Sequence, residues 1–299
     1  MSQDSIDIRT ILPITDERQN HLLRRQPLMF RGRMKSGPLE TPLHSHNGYE
    51  MIYVHAGRGI IMLKDRIFPI AGDTLYLVDV LELHKIRTEG GEPYVRTVIN
   101  FTPEFLRSWS KLSGGADLLE LFRHPPARRV LKETSRTLPG FAALCDVLRD
   151  RSERHAMTSG LQLAALNLLY EIYEYMGGRW SESEKTSLSL PEQHVENIIK
   201  YIELHYHEEL TIERLAKELF LSKYYISHIF QQVTGQTLQS FLLQKRINEA
   251  KRLLLATNYS VLHIANQVGF TSPAYFSNVF KQYNGMSPLK FRKHSARSE

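Results

Sequence analysis

The stretch Leu210–Thr237, LTIERLAKELFLSKYYISHIFQQVTGQT, returns in altered form within Val261–Lys293, where Ile264–Lys293 reads IANQVGFTSPAYFSNVFKQYNGMSPLKFRK. The spacing carries the match. Ile212, Leu215, Ala216 and Leu219 follow one another at three, one and three residues, and Val261, Ile264, Ala265 and Val268 repeat that spacing 49 residues on. Downstream, Ile226, Ile229, Phe230 and Val233 are repeated by Phe276, Val279, Phe280 and Tyr283 at an offset of 50. Apolar residues at steps of three and four line one face of a helix, so each copy predicts two helices. The change of offset places one extra residue in the second turn, which carries Gly269, a residue able to take a positive φ without strain. Ser222 precedes the second helix of the first copy. Thr271-Ser272-Pro273 opens its counterpart with a hydroxyl cap and a proline at the first helical position. A short helix, a tight turn and a second helix, with a small alanine where the two cross, is the helix-turn-helix pattern. Two copies are too few for a solenoid.

Thr237–Thr257 lies between the copies. Leu243, Ile247, Ala250 and Leu254 keep helical spacing there, with Lys245, Arg246, Lys251 and Arg252 on the other sides. A helix of about 20 residues is about 30 Å long, close to the ~34 Å between successive major-groove faces on one side of B-DNA. One connecting helix therefore suits two reading helices set into successive grooves. The charge agrees. From Phe220 to Glu299 ten Lys or Arg stand against two acids, a surplus of eight in 80 residues, whereas the whole chain carries +6. A basic block on a near-neutral body fits a polyanionic partner.

On these residues, and on RINEAKRLLLAT (Arg246–Thr257), Leu210–Lys293 resembles the DNA-binding domain of AraC/XylS-type bacterial transcription regulators. One departure is Phe220-Leu221 in the first turn, where a smaller or less aromatic pair is commoner. The resemblance implies that the exposed face of each second helix meets base edges. Carried over by position, these are Tyr224, Ser227 and His228 in the first copy and Ala274, Tyr275, Ser277 and Asn278 in the second. Asn pairs bidentately with adenine, and Tyr and Ala offer apolar contact to thymine methyls. Ser222, Lys223, Ser272, Lys281, Arg292 and Lys293 are expected at phosphates, which position the protein without specifying sequence. Ile226, Phe230, Phe276 and Phe280 are expected in the core.

Upstream the pattern changes. Met29–Met34, Tyr49–His55, Gly59–Leu63, Arg66–Ile70, Thr74–Val78 and Val95–Phe101 are short runs rich in β-branched and aromatic residues, punctuated by glycines and Lys64-Asp65. Their spacing predicts a β-sandwich or barrel. Phe141–Arg149 and Ser159–Met176 predict helices. The stripe Leu161, Ala165, Leu168, Ile172 and Tyr175 on the second is read as a dimer interface, against the alternative that it packs on its own barrel. Arg179–Leu190, RWSESEKTSLSL, reads as a linker. The expected organisation is a sensor barrel over residues 1–104, a helical dimerisation segment over 105–178, a linker over 179–190 and a DNA-binding domain over 191–299.

Composition bounds the rest. Of 299 residues 42% are hydrophobic and 23% charged, which excludes a disordered chain. The single cysteine, Cys145, excludes a disulfide framework within the chain and any zinc site needing two of its thiolates, and it fits a reducing cytosol. The N-terminus lacks a secretory pattern, and no apolar run reaches the ~18 residues of a membrane span, so a cytoplasmic protein is expected.

His44-Ser-His46-Asn-Gly-Tyr-Glu50, Gly57, then Pro69-Ile-Ala-Gly72-Asp73 and His84 resemble the two motifs of the cupin barrel, with Asp79-Val80-Leu81 a departure where cupin enzymes tend to carry proline and glycine. Cupin enzymes hold a metal with three His and one Glu, and His44, His46, Glu50 and His84 supply that set, whereas AraC-type regulators mostly use the barrel for small organic effectors. The fold expected is therefore α+β: a cupin-like β-barrel, a helical dimerisation segment and an all-α twin helix-turn-helix domain. The function expected is a homodimeric transcription regulator, an activator by resemblance and not an enzyme. It would bind double-stranded promoter DNA, hold a small-molecule effector such as a sugar at His44, His46, Glu50 and His84, recruit RNA polymerase and need no cofactor. The alternative is a metal-dependent cupin enzyme with an appended DNA-binding domain.

Overall fold

The computed structural model describes residues 17–112, 117–153, 159–177 and 188–296. The chain folds into two compact units. One comprises Glu17–Thr41 and His46–Leu188; the other holds the short segment Pro42–Ser45 and the chain from Ser189. Residues 178–187, most of the expected linker, lie outside the described residues.

The first unit opens with helix α1 (Glu17–Arg25). Strands β1 (Leu28–Ser36), β2 (Tyr49–Ala56), β3 (Gly59–Leu63), β4 (Arg66–Ile70), β5 (Thr74–Val78), β6 (His84–Thr88) and β7 (Tyr94–Phe101) follow. Helices α2 (Pro103–Leu112) and α3 (Glu120–Arg123), the short strand β8 (Val130–Leu131) and helices α4 (Thr134–Thr137), α5 (Phe141–Glu153) and α6 (Ser159–Gly177) complete it. The strands form two antiparallel sheets, ordered β1-β7-β2-β5-β8 and β4-β3-β6. The expected barrel is thus resolved into a five-stranded and a three-stranded sheet, and among the described residues no strand ladder closes one onto the other.

Side-chain alternation along β2 sorts the core into two layers. Ile52 and Val54 join Ile61, Leu63, Phe68, Ile86 and Val98, a cluster drawn from both sheets. Met51 on the opposite face joins Ile99, Phe122, Phe141, Leu148, Leu161, Leu168 and Ile172, which places helices over the other side of the larger sheet. This corrects the reading of the α6 stripe. Leu161, Ala165, Leu168 and Ile172 are all buried within their own unit, so a second copy is not what covers them. The exposed apolar residues of α6 are Leu163 and Tyr170.

The second unit is helical: α7 (Leu190–His205), α8 (Ile212–Glu218), α9 (Lys223–Thr234), α10 (Leu238–Ala256), α11 (Val261–Gln267), α12 (Pro273–Asn284) and α13 (Pro288–Ala296). Side-chain oxygens start α9 and α12 where the sequence placed them. Ser222 accepts from the Tyr225 amide and Ser272 from the Tyr275 amide, and Thr211, Thr237 and Ser260 cap α8, α10 and α11 in the same way. Each cap satisfies an amide that the first helical turn leaves without a partner. Ile226, Phe230, Phe276 and Phe280 are fully buried, as expected. Phe230 packs edge-on against Phe241 and Phe280 against Phe291. The 19-residue α10 connects the copies.

Candidate functional site

The two second helices present the residues assigned to base reading on their outer faces. With Ile226, Ile229 and Phe230 committed to the core, Tyr224, Ser227 and His228 are left exposed together on α9. The rings of Tyr224 and His228 lie parallel, within 2°, with centroids 6.2 Å apart. On α12 the burial of Phe276, Val279 and Phe280 leaves Ala274, Tyr275 and Asn278 exposed and Ser277 half-buried. This is the geometry a groove-reading helix needs: an apolar face fixing its orientation and a polar, aromatic face free for base edges.

The residues assigned to phosphates divide into two groups. Lys281 and Lys293 are exposed, and Lys223, also exposed, reaches Glu213 at 3.2 Å. Ser222 and Ser272 accept the cap hydrogen bonds, which leaves each hydroxyl proton free to donate. Arg292 is used differently. Its guanidinium donates to the carbonyls of Leu254 and Tyr259, at the end of α10 and in the loop after it. Arg246 does the same for the carbonyls of Tyr206 and Glu208. Buried Lys245 lies 2.6 Å from Glu203 and 2.8 Å from Glu249, and these carboxylates hold its ammonium charged against burial, raising its pKa. Part of the basic surplus thus fastens the domain together. Sequence periodicity does not separate these cations from those on the outer face.

In the sheet unit the structure brings together three of the four residues expected at the effector. Among the described residues, ligand atoms of His46, Glu50 and His84 lie within 4.8 Å of one another, and all three side chains are buried. His46 precedes β2, Glu50 lies on it and His84 opens β6, so the group draws on both sheets. His44 belongs to the segment Pro42–Ser45, and its Nδ1 meets the Pro42 carbonyl at 3.0 Å. Nδ1 of His46 donates to Gly48 O at 2.9 Å, and Nδ1 of His84 donates to Glu82 O at 2.9 Å. A carbonyl can only accept, so both Nε2 atoms are turned toward Glu50 Oε2, at 3.4 and 3.3 Å. Burial alone would raise the Glu50 pKa; the two imidazoles beside it outweigh that and hold the carboxyl well below the usual carboxylate range.

Sequence reasoning missed two partners of this group. Asn100 faces Glu50 across the β2–β7 ladder and donates from Nδ2 to Oε1 at 3.0 Å. Arg31 in turn donates to Asn100 Oδ1 at 2.9 Å. Strand register decides both contacts. The donor set fits a divalent first-row metal: two imidazole Nε2 atoms and a carboxylate converge, and backbone carbonyls fix each ring through its other nitrogen. Such an ion, when bound, would supply a positive anchor for hydroxyl or carboxylate groups.

Comparison with known proteins places both units. Residues 38–168 match the model of an AraC-like ligand binding domain, and residues 215–294 match that of a helix-turn-helix domain. The chain is 43% identical over 94 residues to the uncharacterized HTH-type transcriptional regulator YisR of Bacillus subtilis (strain 168), covering 31% of this chain and 33% of that protein. It is 36% identical over 116 residues to the melibiose operon regulatory protein of Escherichia coli (strain K12), covering 38% of each. Each match thus spans less than half of the relative's length. Among solved structures, the DNA-binding domain of the global transcriptional factor AdpA, in complex with a target DNA, is 30% identical with a TM-score of 0.33, covering 34% of this chain and 94% of that one. With a match to an AraC-like ligand binding domain followed by a match to a helix-turn-helix domain, the chain is similar in both units to AraC-type transcription regulators.

Proposed function

We propose that this protein binds promoter DNA through α9 and α12 and alters transcription in response to a small molecule held by its sheet unit. The observation that carries the reading is the pair of capped helices, each with a buried apolar face and an exposed face of groove-reading residues. Asn278 reads a base, Lys281 neutralises a phosphate, and the protein acts in the cytoplasm on duplex DNA and RNA polymerase, as an activator. The relatives that regulate named operons, melibiose among them, support a metabolite such as a sugar as the signal. His46, Glu50 and His84 anchor that signal, directly or through a shared cation. Two copies pair through the exposed face of α6 at Leu163 and Tyr170.

The test selects duplexes from a random library with the full chain, then compares variants on the selected site. Asn278→Ala should cost about 1–3 kcal/mol there and relax base preference at one position, whereas Lys281→Ala should weaken all sequences about equally. Equal losses on every sequence for both variants would reject the assignment. Glu50→Ala and His84→Ala should abolish the response to the signal and leave DNA binding intact, and elemental analysis of untagged protein tells whether a metal accompanies it. Leu163→Glu should give monomers that remain folded.

A further inference from the structure

The turns joining α8 to α9 and α11 to α12 close alike. The Leu221 amide donates to Ala216 O at 3.0 Å, and the Phe270 amide donates to Ala265 O at 2.9 Å, six residues closing one loop in each copy. This closure puts the residue before it in the left-handed region: Gly269 at φ +89° and Phe220 at φ +55°. At 269 glycine is required twice over, because a Cβ would stand 2.8 Å from the His207 carbonyl oxygen and 2.9 Å from that of Tyr206. At 220 the same conformation favours glycine, and phenylalanine occupies it. The side chain is 94% exposed, so no burial within the chain offsets the conformational cost. A strained aromatic residue with a bare ring gains nothing for the free protein.

Its neighbours indicate what it meets. Phe220 lies two residues before Ser222, the cap of α9, and four before Tyr224, itself 82% exposed. Tyr224 and His228 lie parallel on the reading face, and Phe220 stands in the turn that leads into it, in a segment that also exposes Lys217, Glu218 and Lys223.

We propose that Phe220 is a further DNA-contact residue: its ring packs on the apolar edge of the groove entered by α9, formed by deoxyribose carbons and thymine methyls. The proposal rests on the reading that α9 enters DNA. It gives the first copy an anchor that the second, with Gly269, lacks. The place of Phe220 at the entry to α9, at the start of a block with ten Lys or Arg against two acids, favours a nucleic acid over a protein as its occupant.

The experiment compares full-length wild type, Phe220→Gly, Phe220→Asn and His228→Ala on a duplex selected by the wild type from a random library. Phe220→Gly should raise the melting temperature by about 2–4 °C, since glycine relieves the left-handed turn, and weaken binding about 5- to 20-fold. Phe220→Asn, which also tolerates that conformation, should weaken binding likewise. Replacing thymine by uracil at each position separates the two sources. A single position at which wild type loses affinity and Phe220→Gly does not identifies a methyl contact; a loss blind to every such replacement identifies deoxyribose. Unchanged affinity of both Phe220 variants overturns the proposal. If transcription is lost as well in that case, the ring serves a protein partner. If His228→Ala is also without effect, it is the reading of α9 that fails.

Discussion

Glu208 sits in the loop ahead of α8, with His205 Nδ1 2.8 Å from one carboxylate oxygen and Arg214 Nη2 2.6 Å from the other. The hydrogen bonds from His205 and then Arg214 lower its pKa from 4.5 to about 2. A carboxylate depressed by folding contributes stability above its unfolded pKa and loses it as pH falls through the folded value. The wild type should therefore melt higher than Glu208→Gln at neutral pH, and the gap should close between about pH 4.5 and about pH 2 in parallel thermal scans. A gap that persists at pH 2 would mean that the loop is held by something other than this charge. Gly269 and Phe220 make the second residue-scale contrast. Gly269→Ala places a Cβ against two carbonyl oxygens in a left-handed turn and should cost at least ~1–2 kcal/mol, whereas Phe220→Gly should stabilise. One backbone conformation in two copies thus predicts stability changes of opposite sign, which chemical denaturation of the two variants would check.

Helix α6 is the element on which sequence and structure part. Its apolar spacing is legible, but spacing says only that a face is covered, not by what. The cover is the larger sheet with α5, through Met51, Ile99, Phe141 and Leu148. Leu168→Glu should consequently destabilise the sheet unit by more than about 4 kcal/mol, by burying an unpaired charge, instead of yielding folded monomers. Circular dichroism with sedimentation distinguishes the two outcomes. The helical unit is far more readable, because repeat, caps and the breaks between helices are all local signals. Ser272→Ala should cost about 1 kcal/mol through the lost cap at the Tyr275 amide. Strand β6, HKIRT, escapes because three of its five residues are His, Lys or Arg, and two-residue β8 is too short to carry a pattern. The cluster of His46, Glu50 and His84 with its partners is half legible. His46, Glu50 and His84 stand out by motif, while Asn100 and Arg31 enter through the pairing of β7 with β2 and β1, which no local pattern encodes. The same limit explains His44, two residues from His46 in sequence and yet grouped with the other unit.

Across the whole molecule, charge is apportioned by role. The last 80 residues hold a surplus of eight positive charges against two negative for the rest, but surplus is not the same as phosphate contacts. Lys245 is neutralised by Glu203 and Glu249, and Arg246 and Arg292 commit their donors to backbone carbonyls. The exposed cations Lys223, Lys281 and Lys293 remain as direct candidates, alongside amides and hydroxyls at the starts of α9 and α12. Affinity for duplex DNA falls with salt in proportion to the phosphates neutralised, with a slope of about −0.9 for each in a plot of log K against log salt. The slope should therefore correspond to far fewer contacts than the ten Lys and Arg of the block, and Lys281→Ala should make it shallower by about one. Arg292→Ala should behave otherwise. Removing a guanidinium that fastens α13 to the end of α10 should lower the melting temperature and leave the salt slope near that of the wild type. Fluorescence anisotropy titrations on one duplex at four salt concentrations, with a melting curve for each variant, separate these behaviours. A slope change for Arg292→Ala equal to that for Lys281→Ala would show that Arg292 leaves its carbonyl partners for a phosphate on binding.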